Sequence, residues 1–297
     1  MSADRVVVAH GDHCVVNTTD GELVRCAVRR RTGRPVCGDW VSWSGTPPSD
    51  GVIEGIEARH NTVTRTDYRG RAKPLAANMD QMVFVCAPQP APDARLLDRY
   101  LVLATSLGLP TLVVVNKADL REAAGNGVPA AITESVARHD CAVHSTSATD
   151  GTGLSPLAHA LGHRASLLVG QSGVGKSSLI NALVPDHSAR TAAISTASGQ
   201  GRHTTTATTL YPLPAGGALV DAPGVRTLRL GHLDRAGIEA GFPEIASAAA
   251  DCDYRDCEHG QEPGCAVAAA AARGTIDAER LARFRELLAE RNRAAGR

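Results

Sequence analysis

Apolar residues in the first 68 positions come in short runs, RVVVAH, HCVVNT, LVRCAV, DWVSW and GVIEGI, divided by Gly, Asp, Asn and Pro. No helical period links them, so residues 1–68 read as short strands forming a small barrel or sandwich. The stretch TPPSDG at 46–51 punctuates two of these strands as a hairpin turn. From 69 to 232 the rhythm changes. MVFVCA (82–87), TLVVVN (111–116), CAVHST (141–146), SLLVG (166–170) and GALVDA (217–222) are β-branched or Leu-rich runs, and helical stretches such as 94–108 and 176–184 fall between them. Strand and helix in alternation predict a parallel, doubly wound α/β sheet. From 233 to 297 no strand pattern survives. Ile276, Leu281, Phe284 and Leu288 lie near helical spacing there, with Thr275 or Asp277 available as a cap. The Arg/Glu face of that helix reads as a solvated surface. The pattern predicts three parts: all-β, α/β and mainly helical.

The chemistry concentrates in the loops that follow the central strands. Gly170-Gln171-Ser172-Gly173-Val174-Gly175-Lys176-Ser177-Ser178 follows the run SLLV and opens a helix, as a phosphate-binding loop requires. Its glycines let backbone N–H groups turn toward phosphates at a helix N-terminus. Lys176 can reach the β- and γ-phosphates, and the Ser177 hydroxyl suits Mg²⁺. Asn116-Lys117-Ala118-Asp119 ends another strand. The Asp119 carboxylate can accept from the N1 and N2 hydrogens of guanine, a pair that adenine does not offer. Asn116 can bond to the base and tie neighbouring loops together. Ser147-Ala148, after CAVHST, resembles the short motif whose backbone contacts guanine O6. Asp221-Ala222-Pro223-Gly224 follows a further strand; Asp221 would hold a water on Mg²⁺ and the Gly224 N–H would sense the γ-phosphate. GRHTTT at 201–206 lies where a first switch belongs, and Thr205, or its neighbour Thr204, can offer Mg²⁺ a hydroxyl.

The order of these motifs is inverted. The guanine-reading quartet precedes the phosphate loop instead of following it, which predicts a circularly permuted GTP-binding domain. All the loops sit at one sheet edge, so the site depends on position in space and not on chain order. Permutation sends the second switch straight into the C-terminal segment, and γ-phosphate sensing at Asp221–Gly224 is expected to re-orient residues 233–297. Val225 stands where many GTPases place a water-orienting Gln, and an apolar side chain cannot do that work. His203 is the best local substitute as a base or water-orienting group. Intrinsic turnover is therefore expected to be slow and to rise when a partner orders the switch.

Cys252, Cys257, His259 and Cys265 supply three thiolates and an imidazole in a short stretch, a donor set for one closed tetrahedral zinc site. In a segment with little apolar content, the metal would hold the local fold. Cys14, Cys26, Cys37, Cys86 and Cys141 are scattered in strand-like settings and read as buried thiols of a reducing compartment. Lys+Arg and Asp+Glu balance at 31 each, so bulk charge points to no nucleic-acid partner. Arg25, Arg29, Arg30, Arg31 and Arg34 nevertheless crowd one stretch. With only 3% aromatic residues, RNA contact would rest on Arg and backbone groups rather than stacking. No apolar run approaches the ~20 residues of a membrane span, and the N-terminus lacks a signal-peptide pattern. The chain reads as cytoplasmic and monomeric, with no membrane partner.

Taken together, NKAD, GQSGVGKSS, GRHTTT, DAPGVR and CDYRDCEHGQEPGC resemble the bacterial small-ribosomal-subunit-dependent GTPases, the RsgA or YjeQ family. GDWVSW and LLDRYLVLA are similar to that family's text as well, so the resemblance covers nearly the whole chain. It implies an OB-fold over 1–68, a permuted GTPase domain over 69–232 and a zinc-binding helical domain over 233–297. It also implies GTP hydrolysis stimulated by the 30S subunit during late maturation, contact with 16S rRNA, and a catalytic role for His203. The competing readings are an RNA-binding nucleotide switch with negligible turnover and a small-molecule kinase, against which NKAD argues.

Overall fold

The computed structural model describes residues 4–46, 50–67, 71–120, 130–198, 207–223, 229–260 and 262–294. The first five strands are β1 (Asp4–His10), β2 (His13–Asn17), β3 (Leu23–Val28), β4 (Trp40–Ser44) and β5 (Gly51–Ile56). They run in the order β1-β2-β3-β5-β4, and β4 returns to pair with β1, so the sheet closes. Only β3 and β5 are parallel. This is a five-stranded OB-type barrel, which decides between barrel and sandwich. Alternation along the strands explains its two faces. Val6, Cys14, Val16, Val24, Cys26, Val41 and Ile53 fill the interior, while Val7, Val8 and Val15 join the core of the next domain.

A separate hairpin follows, β6 (Thr62–Thr66) with β7 (Ala72–Ala77), and it straddles the expected boundary at 68–69. The central sheet contains β8 (Gln81–Cys86), β9 (Thr111–Val115), β10 (Ala142–Ser145), β11 (Ala165–Val169), β12 (Thr209–Pro212) and β13 (Ala218–Asp221). Its order is β10-β9-β8-β11-β13-β12, parallel except for β12, which runs antiparallel to β13. β12 also meets β1 through Val8 and Thr209, making the barrel and the parallel sheet one continuous surface. The helices are α1 (Ala94–Ser106), α2 (Ala130–Arg138), α3 (Leu154–Leu161), α4 (Lys176–Leu183) and α5 (His187–Ser198). β12 and α5 lack a strong apolar period and were not anticipated; α5 packs on β1–β3 of the barrel, with the His187 ring against Tyr211 of β12.

The C-terminal part is helical as expected: α6 (Arg235–Glu239), α7 (Pro243–Ala249), α8 (Ala266–Ala272) and α9 (Ala278–Ala294). Asp277 caps α9, its carboxylate accepting from Arg280 N at 2.7 Å. Ile276, Leu281, Phe284 and Leu288 are all buried. Together with Ile238, Phe242 and Ile245 they belong to the same core as α1 and the parallel sheet. The expected solvated Arg/Glu face needs correction. Arg280 and Arg283 are only 3% and 7% exposed, and both donate to Asp98 of α1, at 2.6 Å each. Ser135 of α2 and Glu244 of α7 also accept from Arg280, whose guanidinium lies 4.6 Å from the Phe242 ring centre. The stripe is buried because the carboxylates compensating it sit on other helices. Among the described residues, no helix is long and apolar enough to cross a membrane.

Candidate nucleotide site and metal cluster

The parallel strands deliver their loops to one edge, and the order of connection reverses between β8 and β11. Ligands of such sheets bind in the crevice at that reversal. The phosphate-type loop follows β11 there. Gly170 has φ +136°, and a Cβ would stand 2.2 Å from the Val85 carbonyl oxygen, so the loop is pressed against β8. Gly175 (φ +93°) opens α4, and a Cβ on it would meet the Asn116 side-chain nitrogen at 2.2 Å. Lys176 is buried, and its Nζ donates to the carbonyls of Gly170 (2.7 Å) and Gln171 (2.6 Å). Its ammonium is thus curled over the loop. Ser177 and Ser178 are exposed in the first turn of α4.

Asn116 is the side chain that joins the pieces. Its Nδ2 donates to Val174 O at 2.9 Å, while its Oδ1 accepts from Ala148 N at 3.3 Å and from Thr146 Oγ1 at 3.4 Å. Three of the four hydrogen bonds an amide can make therefore link the phosphate-type loop, the NKAD turn and the Ser147–Ala148 turn. Ala118 N donates to Thr146 O in the same seam. Asp119 is exposed, and Ser147 Oγ donates to its Oδ1 at 2.6 Å. That bond orients the carboxylate and leaves lone pairs on both oxygens for two further donors. Lys117 adopts a left-handed backbone (φ +60°) and its Nζ donates to Gln89 O.

The loop at 87–93, after β8, escaped the sequence reading. Gln171 Nε2 donates to Ala91 O at 2.9 Å, and Gln171 Oε1 accepts from Asp93 N at 3.1 Å. This loop is thus tied to Lys117 on one side and to the phosphate-type loop on the other. It carries no motif; only the sheet order, which puts β8 beside β11, could have revealed it.

Asp221 ends β13, half-buried and in register with Leu168 of β11. His187 of α5 also feels its carboxylate: burial lowers the imidazole pKa from its ordinary value, and Asp221 opposes that shift. Thr204, Thr205, His203, Gly224 and Val225 lie outside the described residues.

The second cluster is complete. The Sγ atoms of Cys252, Cys257 and Cys265 and one ring nitrogen of His259 all lie within 4.8 Å of one another. His259 Nδ1 is 3.6 Å from both Cys252 Sγ and Cys265 Sγ. Zinc bonds of about 2.3 Å to sulfur and about 2.0–2.1 Å to nitrogen, held tetrahedrally, imply N···S separations of about 3.6 Å. The donor set and its spacing fit that ion. Cys265 also caps α8, its sulfur accepting from Ala268 N. Arg285 of α9 donates to the carbonyls of His259 and Gly260, locking the cluster to the last helix. Burial is the main cause raising Cys14 and Cys37 to about 12, and Cys26, Cys86 and Cys141 to about 11. Cys14, Cys26, Cys37 and Cys86 are buried as expected, whereas Cys141 is half-buried.

The family model described as RsgA GTPase matches residues 56–231, more than half of the chain. The chain belongs to the RsgA GTPase family. It is 42% identical over 289 residues to the small ribosomal subunit biogenesis GTPase RsgA of Azotobacter vinelandii, covering 96% of this chain and 84% of that one. The RsgA of Pseudomonas aeruginosa is 42% identical over 286 residues, with coverage of 95% and 84%. Among solved structures, YjeQ from Thermotoga maritima superposes with a TM-score of 0.69 at 28% identity, over 99% of this chain and 98% of that one. YloQ, described as a circularly permuted GTPase, gives 0.70 at 25% identity, over 98% and 95%. The inverted motif order of this chain matches the circular permutation named for YloQ, and the barrel and Cys₃His cluster fall within the aligned length.

Proposed function

We propose that this GTPase acts in late maturation of the small ribosomal subunit, hydrolysing GTP when the 30S particle orders its switches. The observation that carries the nucleotide reading is Asn116, whose one amide joins the three loops at the carboxyl edge. In this reading Asp119, oriented by Ser147, selects guanine. Asn116, Lys117, Ala118, Ser147 and Ala148 frame the base. The backbone of Gly170–Ser178 and Lys176 take the phosphates. Ser177 and Thr205 hold Mg²⁺, and Asp221 holds one of its waters; oxygen donors suit that ion. Bound Mg²⁺ would neutralise charge on the β- and γ-phosphates. Gly224 senses the γ-phosphate. His203 orients or deprotonates the attacking water, since Val225 cannot. The Cys₃His cluster takes one structural Zn²⁺.

The names of the relatives support a small-subunit partner. For 16S rRNA we assign the Arg25–Arg34 stretch of the barrel, where Arg25, Arg30, Arg31 and Arg34 are exposed. We read the protein as a cytoplasmic monomer. Val225 favours one second reading, an RNA-binding switch with negligible turnover. Phosphate release with and without 30S subunits, for wild type and His203→Ala, decides between them. Stimulation that disappears in the variant is expected, and no stimulation of the wild type would favour the switch. Asp119→Asn is expected to move preference from guanine toward xanthine nucleotides, because an amide donates where the carboxylate accepted. Unchanged GTP affinity with no gain for the xanthine analogue would remove Asp119 from the base pocket.

A further inference from the structure

Beyond DAPG the chain runs into a narrow seat between two fixed elements. On one side Thr66, at the end of β6, donates its N–H to Arg229 O at 3.1 Å, and its hydroxyl lies 3.2 Å from His232 Nδ1. On the other side stands α9, so close that a Cβ on Gly231 would lie 2.5 Å from Ala294 Cβ. Leu230, 2% exposed, plugs the core between them. One carboxylate closes the seat. Glu290 Oε1 accepts from Leu230 N at 2.8 Å, while Glu290 Oε2 accepts from Arg99 Nη2 of α1 at 2.7 Å. Both side chains are largely buried, at 18% and 26% exposure.

The pair one turn earlier on the same two helices provides the contrast. Arg95 and Glu286 meet at 3.2 Å with 67% and 49% exposure, and among the described residues Glu286 bonds only to Arg95. That pair is a surface ion pair of small effect. Glu290 differs because its second oxygen holds a backbone N–H, a charge-assisted bond that fixes main chain and not merely another side chain.

We infer that Glu290 is a positioning residue for the GTP-bound state: it pins the exit of the second switch to α1 and α9, so that binding a γ-phosphate at the switch costs less ordering. This rests on the reading of Asp221–Gly224 as the γ-phosphate sensor. A segment whose far end is already fixed has fewer conformations to lose when a ligand orders it. GTP uses that segment and GDP does not, so the clamp favours GTP selectively. By reciprocity, bound GTP must tighten the Leu230–Glu290 bond. The buried Asp98–Arg280–Arg283 cluster meanwhile packs α9 firmly on α1. The clamp is therefore where the switch and the C-terminal helices communicate.

The test is equilibrium binding of a non-hydrolysable GTP analogue and of GDP to the full, metal-loaded chain. In Glu290→Ala the analogue is expected to bind about three- to tenfold more weakly, the scale of one typical net hydrogen bond, with GDP affinity unchanged. Glu290→Gln, which can satisfy one of the two partners, should fall between, and Glu286→Ala should change neither affinity. Equal weakening of both nucleotides, or the same selective loss in Glu286→Ala, overturns the clamp, as does an unchanged preference in Glu290→Ala. Should Glu290→Ala fail to fold, amide exchange in the wild type decides. Leu230 N–H should exchange more slowly with the analogue than with GDP, and equal rates sink the proposal. Wild type that binds neither nucleotide would instead remove the nucleotide reading itself.

Discussion

The barrel and the C-terminal helices flank the same nucleotide domain but are attached to it by opposite means. The barrel owns a core, seven buried side chains from Val6 to Ile53 that touch one another across a closed sheet. Its links outward include the Val8–Thr209 bridge, the packing of Val7, Val8, Val15 and Cys37, helix α5, and hydrogen bonds that join Arg5 and Gly38 to Asn78 and Cys37 to Ala77. Among the described residues the C-terminal helices have no separate core; Ile238, Phe242, Ile245 and Phe284 share the one under α1. What is peculiar to them is polar: an Asp98–Arg280–Arg283 cluster and a Cys₃His group. A region with its own core can shift as a unit, whereas one that borrows its core and pins it with buried charge moves only with its host.

The largest expected effect comes from the metal. Treating the protein with a strong chelator should strip amide protection from residues 252–272 while the barrel strands keep theirs, because structural zinc in small folds carries apparent binding energies of roughly 10–16 kcal/mol. Hydrogen exchange read segment by segment checks this. Protection that survives chelation in 252–272 would mean that the shared core alone holds the region, and the contrast with the barrel would narrow.

Next in size is Asp98→Ala, which leaves Arg280 and Arg283 buried with one carboxylate fewer. Removing one partner of a buried ion cluster costs about 3–5 kcal/mol. Chemical denaturation should show that loss, with α1, α7 and α9 loosening together. A loss under about 1 kcal/mol, typical of exposed pairs, would mean that water reaches the cluster.

These two features differed in how far the sequence could show them. The metal ligands lie within one short stretch, 252–265, so donor chemistry and spacing expose them without any fold. The nucleotide motifs were legible for a related reason: each is a strand end plus its loop, and the parallel sheet then gathers them. The ion cluster joins Asp98 to Arg280 and Arg283 across most of the domain, and hydrophobic periodicity counts every arginine as polar. Nothing local marks Arg280 as buried; its partners exist only once α9 lies on α1. The loop at 87–93 is silent for the same reason, since Gln171 meets Ala91 and Asp93 through the neighbouring of β8 and β11. The α5 helix was missed because only Ile194 and Ser198 are buried along it, too few to set a period.

That thin attachment sets the smallest effect. His13, on the second barrel strand, faces Ser198 O at 3.0 Å through Nε2 and Asp12 Oδ1 at 2.9 Å through Nδ1. Ser198 closes α5, so this contact fastens the helix end that leads into GRHTTT to the barrel. His13→Ala removes one hydrogen bond, worth about 0.5–1.5 kcal/mol, from a helix with little other burial. The cost should appear as local opening: exchange in the last turn of α5 should quicken by up to about tenfold, while global unfolding stays nearly where it was. A global loss in His13→Ala as large as that of Asp98→Ala would mean the barrel is bolted to the nucleotide domain as tightly as the C-terminal helices, through a contact far less buried than theirs.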